Sequence, residues 1–365
     1  MKKQSGQLIF SATDLSNFIN CKHLTQLNKL AAEGVIKKPI RKNRVTEMLQ
    51  QKGLDFENAF LSTLESEGKS ITKIEQADPN AFGNTISAMR LGVDVVYQAR
   101  LEQDNWQGWS DFLIKVNKPS NLGNWSYEVM DTKLATETKS GTILQIALYS
   151  QIIADIQGFM PEHMHVETPD EHTQYRVDDF IAYVRYTKRK FLESIQLPSN
   201  TYPEPVLHCD VCNWWEQCNS KRREDDHLSF IAGMGNAQMK EVRTHNINTL
   251  ETMAELSLPI PFQPSRGNVE TYIKLREQAR LQNESRMQRR PVYEILPLNS
   301  ECGFYNLPEP TNWDVYLDLE GDPMVDPSGR EYIFGWWHQG GKSGDVDHLF
   351  PVQTDHPKLT SLKLS

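Results

Sequence analysis

The sequence predicts an α/β chain, and three observations carry that reading. Strand-like runs near 93–97, 109–116 and 125–134 lie between helical stretches at 46–67 and 142–157. Charged residues make up 24% and hydrophobic ones 38%, which excludes a collagenous, mucin-like or wholly disordered chain. The longest apolar stretches are a handful of residues, too short to span a bilayer. The start, MKKQSG, offers only Leu8, Ile9 and Phe10 before polar sequence resumes, so it does not read as a secretory signal. A cytoplasmic protein with no membrane partner is the expectation. At roughly 150 residues per domain, 365 residues amount to about 2.4 domains.

The elements follow in order. Ser11, Thr13 and Asp14 before Leu15, Phe18 and Ile19 read as a capped helix start, with Cys21 close behind. Met48, Leu49, Phe56, Phe60, Leu61 and Leu64 recur at helical spacing through 46–67. The strands at 109–116 and 125–134 are joined by 117–124, whose Asn, Pro, Ser and Gly content is that of a turn. After the helix at 142–157, residues 176–197 mix β-branched residues with a helical end, and 198–205 form a loop. Beyond it come a short helical region (229–258), a Pro-rich joint (259–264), a basic helix (268–290) and a β-hairpin (313–337).

Lys and Arg number 39 against 48 Asp and Glu, a net charge of −9, which argues against a globally basic nucleic-acid coat. Local basic clusters remain. Lys37, Lys38, Arg41, Lys42 and Arg44 form one; Lys274, Arg276, Arg280, Arg286, Arg289 and Arg290 form another, opposed in sequence only by Glu277 and Glu284. Either can be a solvated helix face or a phosphate-facing surface.

Five cysteines without a secretory signal read as reduced thiols. Cys209, Cys212 and Cys218 have metal-site spacing, since a C-x-x-C loop with a third Cys nearby lets thiolates converge on one centre. Soft thiolates select zinc or an iron–sulfur cluster. The fourth ligand must come from Cys21, Cys302 or His208.

The segment around Asp131 and Lys133 is the most informative. Residues i and i+2 of a strand share a face, so this carboxylate and amine project together, an expensive arrangement on a buried strand. Asp111, two positions past Trp109, places another carboxylate on the strand expected to pair with it. Two carboxylates suit Mg²⁺ or Mn²⁺, and a lysine beside them can orient an attacking water, which is phosphodiester-hydrolysing chemistry. Gln145 and Tyr149, four apart on a helix, share a face.

Asp111, then Asp131-x-Lys133, then Gln145-x-x-x-Tyr149, followed by C-x-x-C-x5-C, resembles the RecB-like nucleases of the PD-(D/E)XK superfamily, and within them the iron–sulfur branch. The resemblance implies a restriction-endonuclease-like core, a mixed sheet flanked by helices. It implies Asp111 and Asp131 as metal ligands, Lys133 as the catalytic lysine, and Gln145 and Tyr149 as residues positioning DNA and the site. It further implies a [4Fe–4S] cluster held by Cys21, Cys209, Cys212 and Cys218, with Cys302 left over. One departure stands out: where the family has a metal-binding His before a Glu in Gly-x-x-His-Glu, this chain has Gly53-Leu-Asp-Phe56-Glu57. Phe56 cannot bind a metal, and Asp55 or Glu57 would have to substitute.

Past the cysteines, the glycines at 233 and 235, the helix after them and the segment at 247–251 resemble a helix-hairpin-helix element, which offers backbone N–H groups to phosphates. Asp318 and Glu320, at i and i+2 on one strand, resemble the metal-binding opening of RNase H-like 3′–5′ exonuclease domains, here expected to be truncated and poorly packed. The expected division is a nuclease domain at 1–227, a connector at 228–300 and an RNase H-like piece at 301–365. The function implied is Mg²⁺- or Mn²⁺-dependent hydrolysis of DNA at single-stranded ends or flaps, in repair or recombination, with a helicase as a partner. The alternative is a catalytically impaired nucleic-acid-binding protein with a structural iron–sulfur or zinc site.

Overall fold

The computed structural model describes residues 1–41, 44–135, 137–196, 200–297, 303–322, 329–338 and 350–351. The chain divides into two compact units, Met1–Val292 and Tyr293–Ser365.

The first unit opens with a small hairpin, β1 (Lys2–Gln4) and β2 (Gln7–Ile9). Helix α1 (Ala12–Asn20) starts where Asp14 Oδ2 accepts from the Ser11 backbone N–H at 2.9 Å and from its hydroxyl at 3.0 Å. Cys21 ends α1 and caps α2 (Lys22–Ala32). Helix α3 (Arg44–Ser66), β3 (Ile71–Lys73), α4 (Ala81–Leu91), β4 (Val95–Gln103), β5 (Trp106–Val116) and β6 (Ser126–Thr132) follow. Then come α5 (Ser140–Gln157), β7 (His163–Glu167), β8 (His172–Arg176) and α6 (Asp178–Gln196).

Six strands form one mixed sheet in the order β3-β4-β5-β6-β7-β8. The β3–β4 and β6–β7 pairs are parallel; the other three are antiparallel. Helices flank both faces, so the α/β expectation holds. On one face Leu15, Ala88, Met89, Leu144, Leu148, Ile152, Val184 and Phe191 pack with Tyr127, Val129 and Leu113. On the other, Phe60, Leu61 and Leu64 of α3 pack on Val95, Phe112 and Met130. Strand β6 lies between these cores, and every one of its residues is buried. A two-sided strand of this kind reads as a near-continuous apolar run, which makes its Glu128 and Asp131 conspicuous.

The structure adds elements that the sequence reading lacks. Helix α4 precedes the expected strand near 93–97, which begins at Val95. Strand β3 is three residues long, too short for alternation to show, and β7 and β8 are five residues each, made largely of polar side chains.

Within the first unit, helices α7 (Trp215–Glu224), α8 (Asn236–Thr244), α9 (Leu250–Ala254) and α10 (Val269–Gln288) follow the sheet. Residues from Leu228 to Ala279 bury their own apolar cluster, including Val242, Leu250, Met253, Tyr272 and Leu275. Gly233, at φ +82°, turns the chain ahead of α8.

The second unit holds β9 (Val315–Asp322), β10 (Arg330–His338) and β11 (Phe350–Pro351), antiparallel in the order β11-β10-β9. The hairpin anticipated at 313–337 is β9–β10. Trp313, Val315, Tyr316, Leu317 and Leu319 are exposed. Cys302 and the tail at 358–365 lie outside the described residues. Among the described residues, no helix is long and apolar enough to cross a membrane.

Candidate active site

Strands β5 and β6 pair with Phe112 opposite Met130 and Leu113 opposite Val129, and one step further along that register brings Asp111 opposite Asp131. The sheet thus sets the two carboxylates side by side at one end. Asp111 Oδ2 accepts from the Thr132 backbone N–H at 3.0 Å and from the Thr132 hydroxyl at 3.1 Å. Asp131 is 1% exposed, and its Oδ1 accepts from Gln145 Nε2 of α5 at 3.1 Å. Its Oδ2 lies beside the Lys133 ammonium but receives no aligned hydrogen bond. Lys133 Nζ donates to the Thr132 carbonyl at 3.0 Å.

Tyr149, one helical turn beyond Gln145, packs against Gly108 of β5. A Cβ at Gly108 would lie 2.2 Å from the Tyr149 hydroxyl, so this position must be glycine for the ring to sit there. Five residues named from sequence, Asp111, Asp131, Lys133, Gln145 and Tyr149, therefore occupy one neighbourhood.

Glu57 joins them. It is buried on α3, accepts from Gln98 Nε2, and is close enough to Asp111 and Lys133 for both to act on its charge. Asp55 instead is exposed and accepts from Gln51 Nε2 at 2.9 Å. Of the two acids weighed as substitutes for the missing His, Glu57 faces the site and Asp55 does not. Gln98 was not anticipated. It lies opposite Asp111 in the β4–β5 register, with φ +53°, a conformation that non-glycine residues seldom adopt in a strand. Its Oε1 accepts from Gln76 Nε2 at 2.9 Å, so its amide is held while it donates to Glu57. Local strain of this kind gathers at functional sites. Thr132 was also missed, because a Thr between two charged residues carries no signal of its own.

The electrostatics are those of a crowded acidic cluster. Burial, then the Asp111 carboxylate, pushes the Asp131 carboxyl well above the usual range, with Lys133 opposing. Burial and Asp111 likewise raise Glu57. Burial works against the Lys133 ammonium, but Asp131 and Asp111 outweigh it and raise its pKa. Asp111, Asp131 and Glu57 stand around the one Lys133 ammonium, so the acids repel one another and two of them are pushed toward their neutral forms. Among the described residues, no three His, Cys, Asp or Glu side chains already stand as a coordination shell. A hard cation such as Mg²⁺ does not require one, since it is commonly held by one or two carboxylates and completes its shell with water and phosphate. Asp131 Oδ2, which has the Lys133 ammonium beside it but no aligned hydrogen bond, and the Asp111 carboxylate are hard oxygen donors of the kind that suits such an ion.

The cysteines form a second, separate centre. Cys21, Cys209, Cys212 and Cys218 line one pocket of about 330 Å³, open mouth included, with Leu24, Leu27, Trp214 and His208. Of the three sources considered for a fourth ligand, Cys21 and His208 border this pocket, and Cys302 lies outside the described residues. Sulfur of Cys21 accepts from Leu24 N–H at 3.4 Å and that of Cys209 from Val206 N–H at 3.5 Å. Burial, then Cys212, pushes the Cys218 thiol up to about 11, and burial raises Cys212 as well. A bound cation reverses that penalty. Four soft donors border one pocket, and their chemistry suits a metal or cluster, while their side chains as placed do not stand as a coordination shell. Arg41 secures the loop by donating to the Asp210 carbonyl at 2.7 Å and lying over the Trp215 ring, and Trp214 Nε1 donates to Asn28 Oδ1 at 3.0 Å.

The basic helix α10 turns out differently from its sequence. Arg276 donates to the Leu256 carbonyl and to Glu277, and Arg280 to Glu277 and Glu284. Arg286 pairs with Asp226, a partner distant in sequence. Much of this charge holds helices together, which leaves Lys274, Arg289 and Arg290 as its exposed cations without that duty among those named from sequence. Asp318 and Glu320 lie on one face of β9, both exposed.

No family model matches the chain, and no curated protein does. Among solved structures, the crystal structure of SSO0001 aligns over 60% of this chain and 89% of its own, at 13% identity and a TM-score of 0.30, too low to carry an argument.

Proposed function

We propose that the chain is a metal-dependent nuclease of the RecB-like PD-(D/E)XK type, cleaving DNA at single-stranded ends or flaps. The convergence of Asp111, Asp131, Lys133, Gln145 and Glu57 where the pairing of β5 with β6 ends carries this reading. Asp111 and Asp131 would hold the Mg²⁺ or Mn²⁺, with Glu57 beside them in the role left open by Phe56. A cation bound there lowers the pKa of water and stabilises charge on a phosphodiester oxygen. Thr132 fixes the orientation of Asp111, and Gln145 that of Asp131. Lys133, held protonated by the carboxylates, is a hydrogen-bond donor that orients the attacking water and meets charge on the phosphate. Tyr149 closes the back of the site against Gly108.

In the same proposal, Cys21, Cys209, Cys212 and Cys218 hold a structural [4Fe–4S] cluster that ties α2 to the loop before α7. Protein purified without oxygen should be brown with visible absorbance; a colourless protein containing zinc overturns the cluster. The helices after α7 and the β9–β10 hairpin would be a DNA-contacting connector and an RNase H-like piece.

The test of the nuclease is cleavage of end-labelled single- and double-stranded DNA in Mg²⁺ or Mn²⁺. Lys133→Ala cleaving as well as the parent ends the proposal. One observation favours a second reading, a nucleic-acid-binding protein without catalysis: Phe56 stands where the resemblance calls for a metal-binding His. DNA retention with no cleavage in any divalent metal decides for it.

A further inference from the structure

A cluster of histidines and glutamates on β6, β7 and β8 has no part in the nuclease reading. Register places it on the sheet face opposite Asp131: Met130 pairs with His165, and Asp131 with Val166. On the β7–β8 hairpin, His165 pairs with Gln174 and Glu167 with His172, so His165 and His172 form a diagonal pair on one face. Their rings approach with His165 Nδ1 and His172 Nε2 3.2 Å apart.

The far nitrogen of each ring is already committed. His165 Nε2 lies 2.9 Å from Glu128 Oε2, and His172 Nδ1 lies 2.7 Å from Glu167 Oε2. An ionised carboxylate only accepts hydrogen bonds, so each imidazole must turn its N–H toward its glutamate. Each ring then turns its other nitrogen toward its neighbour, 3.2 Å away, and either one shared proton or a metal ion can occupy the space between the two nitrogens. Two imidazole nitrogens sharing one tetrahedral ion at about 2.0–2.1 Å would be about 3.3–3.4 Å apart. Glutamate behind each histidine is the outer-shell arrangement that orients metal-bound imidazoles and raises their basicity. Glu128 is itself fixed, since it is buried and its Oε1 accepts from the His163 backbone N–H at 3.1 Å. His172 is partly open to solvent, which leaves room for water to complete the shell.

We propose that His165 and His172 form a two-histidine site for a borderline divalent transition-metal ion such as Zn²⁺ or Ni²⁺, oriented by Glu128 and Glu167. Nitrogen donors suit these ions and not Mg²⁺, so the site is chemically distinct from the carboxylate centre. Its ligands come from β7 and the edge strand β8, and a bound ion would clip that hairpin shut at the edge of the sheet. Nothing in this inference depends on the nuclease reading.

The test is a calorimetric titration of untagged, anaerobically purified protein with Ni²⁺ in excess Mg²⁺, which keeps the carboxylate centre occupied. Wild type should bind one equivalent more than the His165→Asn/His172→Asn double variant. Glu167→Gln, which keeps both ligands, should weaken that equivalent by about 10–100-fold. Ni²⁺ should also broaden the NMR signals of these two imidazoles before those of the other histidines. Should the double variant fail to fold, His172→Asn alone, at a partly exposed edge position, serves in its place. Equal stoichiometry and affinity in wild type and variant overturn the site. So does a pH titration showing one proton shared between the two rings with no Ni²⁺ broadening.

Discussion

Two strands carry charged pairs at the same spacing: Asp131 and Lys133 at the end of β6, Asp318 and Glu320 on β9. In sequence they look equally suggestive. Strand β6 has helices on both faces and buries every residue, whereas β9 exposes every residue from Val315 to Gly321. On β6, burial raises Asp131 and leaves Lys133 to answer Asp131 and Asp111 together. Water screens exposed charges such as those on β9, so little is gained or lost by placing them there. Spacing is common to both strands. The cost of desolvating Asp131 separates them, while Lys133, just past the end of β6, stays partly exposed.

The largest expected effect tests this contrast directly. Asp131→Ala and Lys133→Ala should each lower divalent-dependent cleavage by about a thousandfold or more, since each removes several kcal/mol of transition-state stabilisation. Asp318→Ala and Glu320→Ala should leave the rate within about twofold. Initial rates on end-labelled DNA, with circular dichroism confirming the fold, check both halves. If the β9 variants lose as much as the β6 ones, burial is the wrong criterion.

Next in size is the thiol centre. Cys21→Ser removes one of four sulfurs and should lower the melting temperature by about 10 °C, at about 2–4 °C per kcal/mol for a unit of this size, with loss of visible absorbance. Asp318→Asn should not move it.

A pH series in the absence of divalent ions comes third. Folded Asp131 keeps a proton that the unfolded chain releases near the ordinary aspartate value. Its contribution to stability is complete below that value and is lost as pH rises toward the raised folded pKa. Denaturant midpoints should therefore fall with rising pH, by up to about 1.4 kcal/mol per unit. Asp131→Asn should flatten the slope while Asp318→Asn leaves it intact.

The smallest effect compares two glycines. At Gly108 a new Cβ meets the Tyr149 ring, and at Gly335, opposite Asp318, it finds only ordinary contacts from 3.6 Å outward. Gly108→Ala should cost about 1–3 kcal/mol by overpacking, and Gly335→Ala under about 0.5 kcal/mol, both read from urea unfolding.

Much of the sheet was legible because its central strands are long. Strands β4 to β6 announce themselves through Val95, Val96, Phe112, Leu113 and Val129. The edge strands β3, β7 and β8 do not, being short and, in the last two, rich in His, Gln and Thr. Asp111, Asp131, Lys133 and Gln145 stand out in sequence because acid, amine and amide recur at strand and helix intervals. Glu57 stayed ambiguous beside Asp55 because two acids two residues apart on a helix are separated only by which face is covered. Gln98 was invisible, since a left-handed backbone at a glutamine depends on what lies opposite. The roles of Thr132 and Gly108 come from cross-strand and helix–strand contacts that no local pattern encodes. On α10, Arg286 read as free charge until the fold supplied Asp226.

The thiol pocket also imposes an order on synthesis. Cys21 reaches the ribosome exit long before Cys218, and about 200 residues at about 5–20 per second separate them by about 10–40 s. Over that interval the helix carrying Cys21 lacks Trp214, the loop partner whose ring meets its Asn28. Its thiol therefore stands open to oxidants and stray metal ions until the other three cysteines of the pocket have been made.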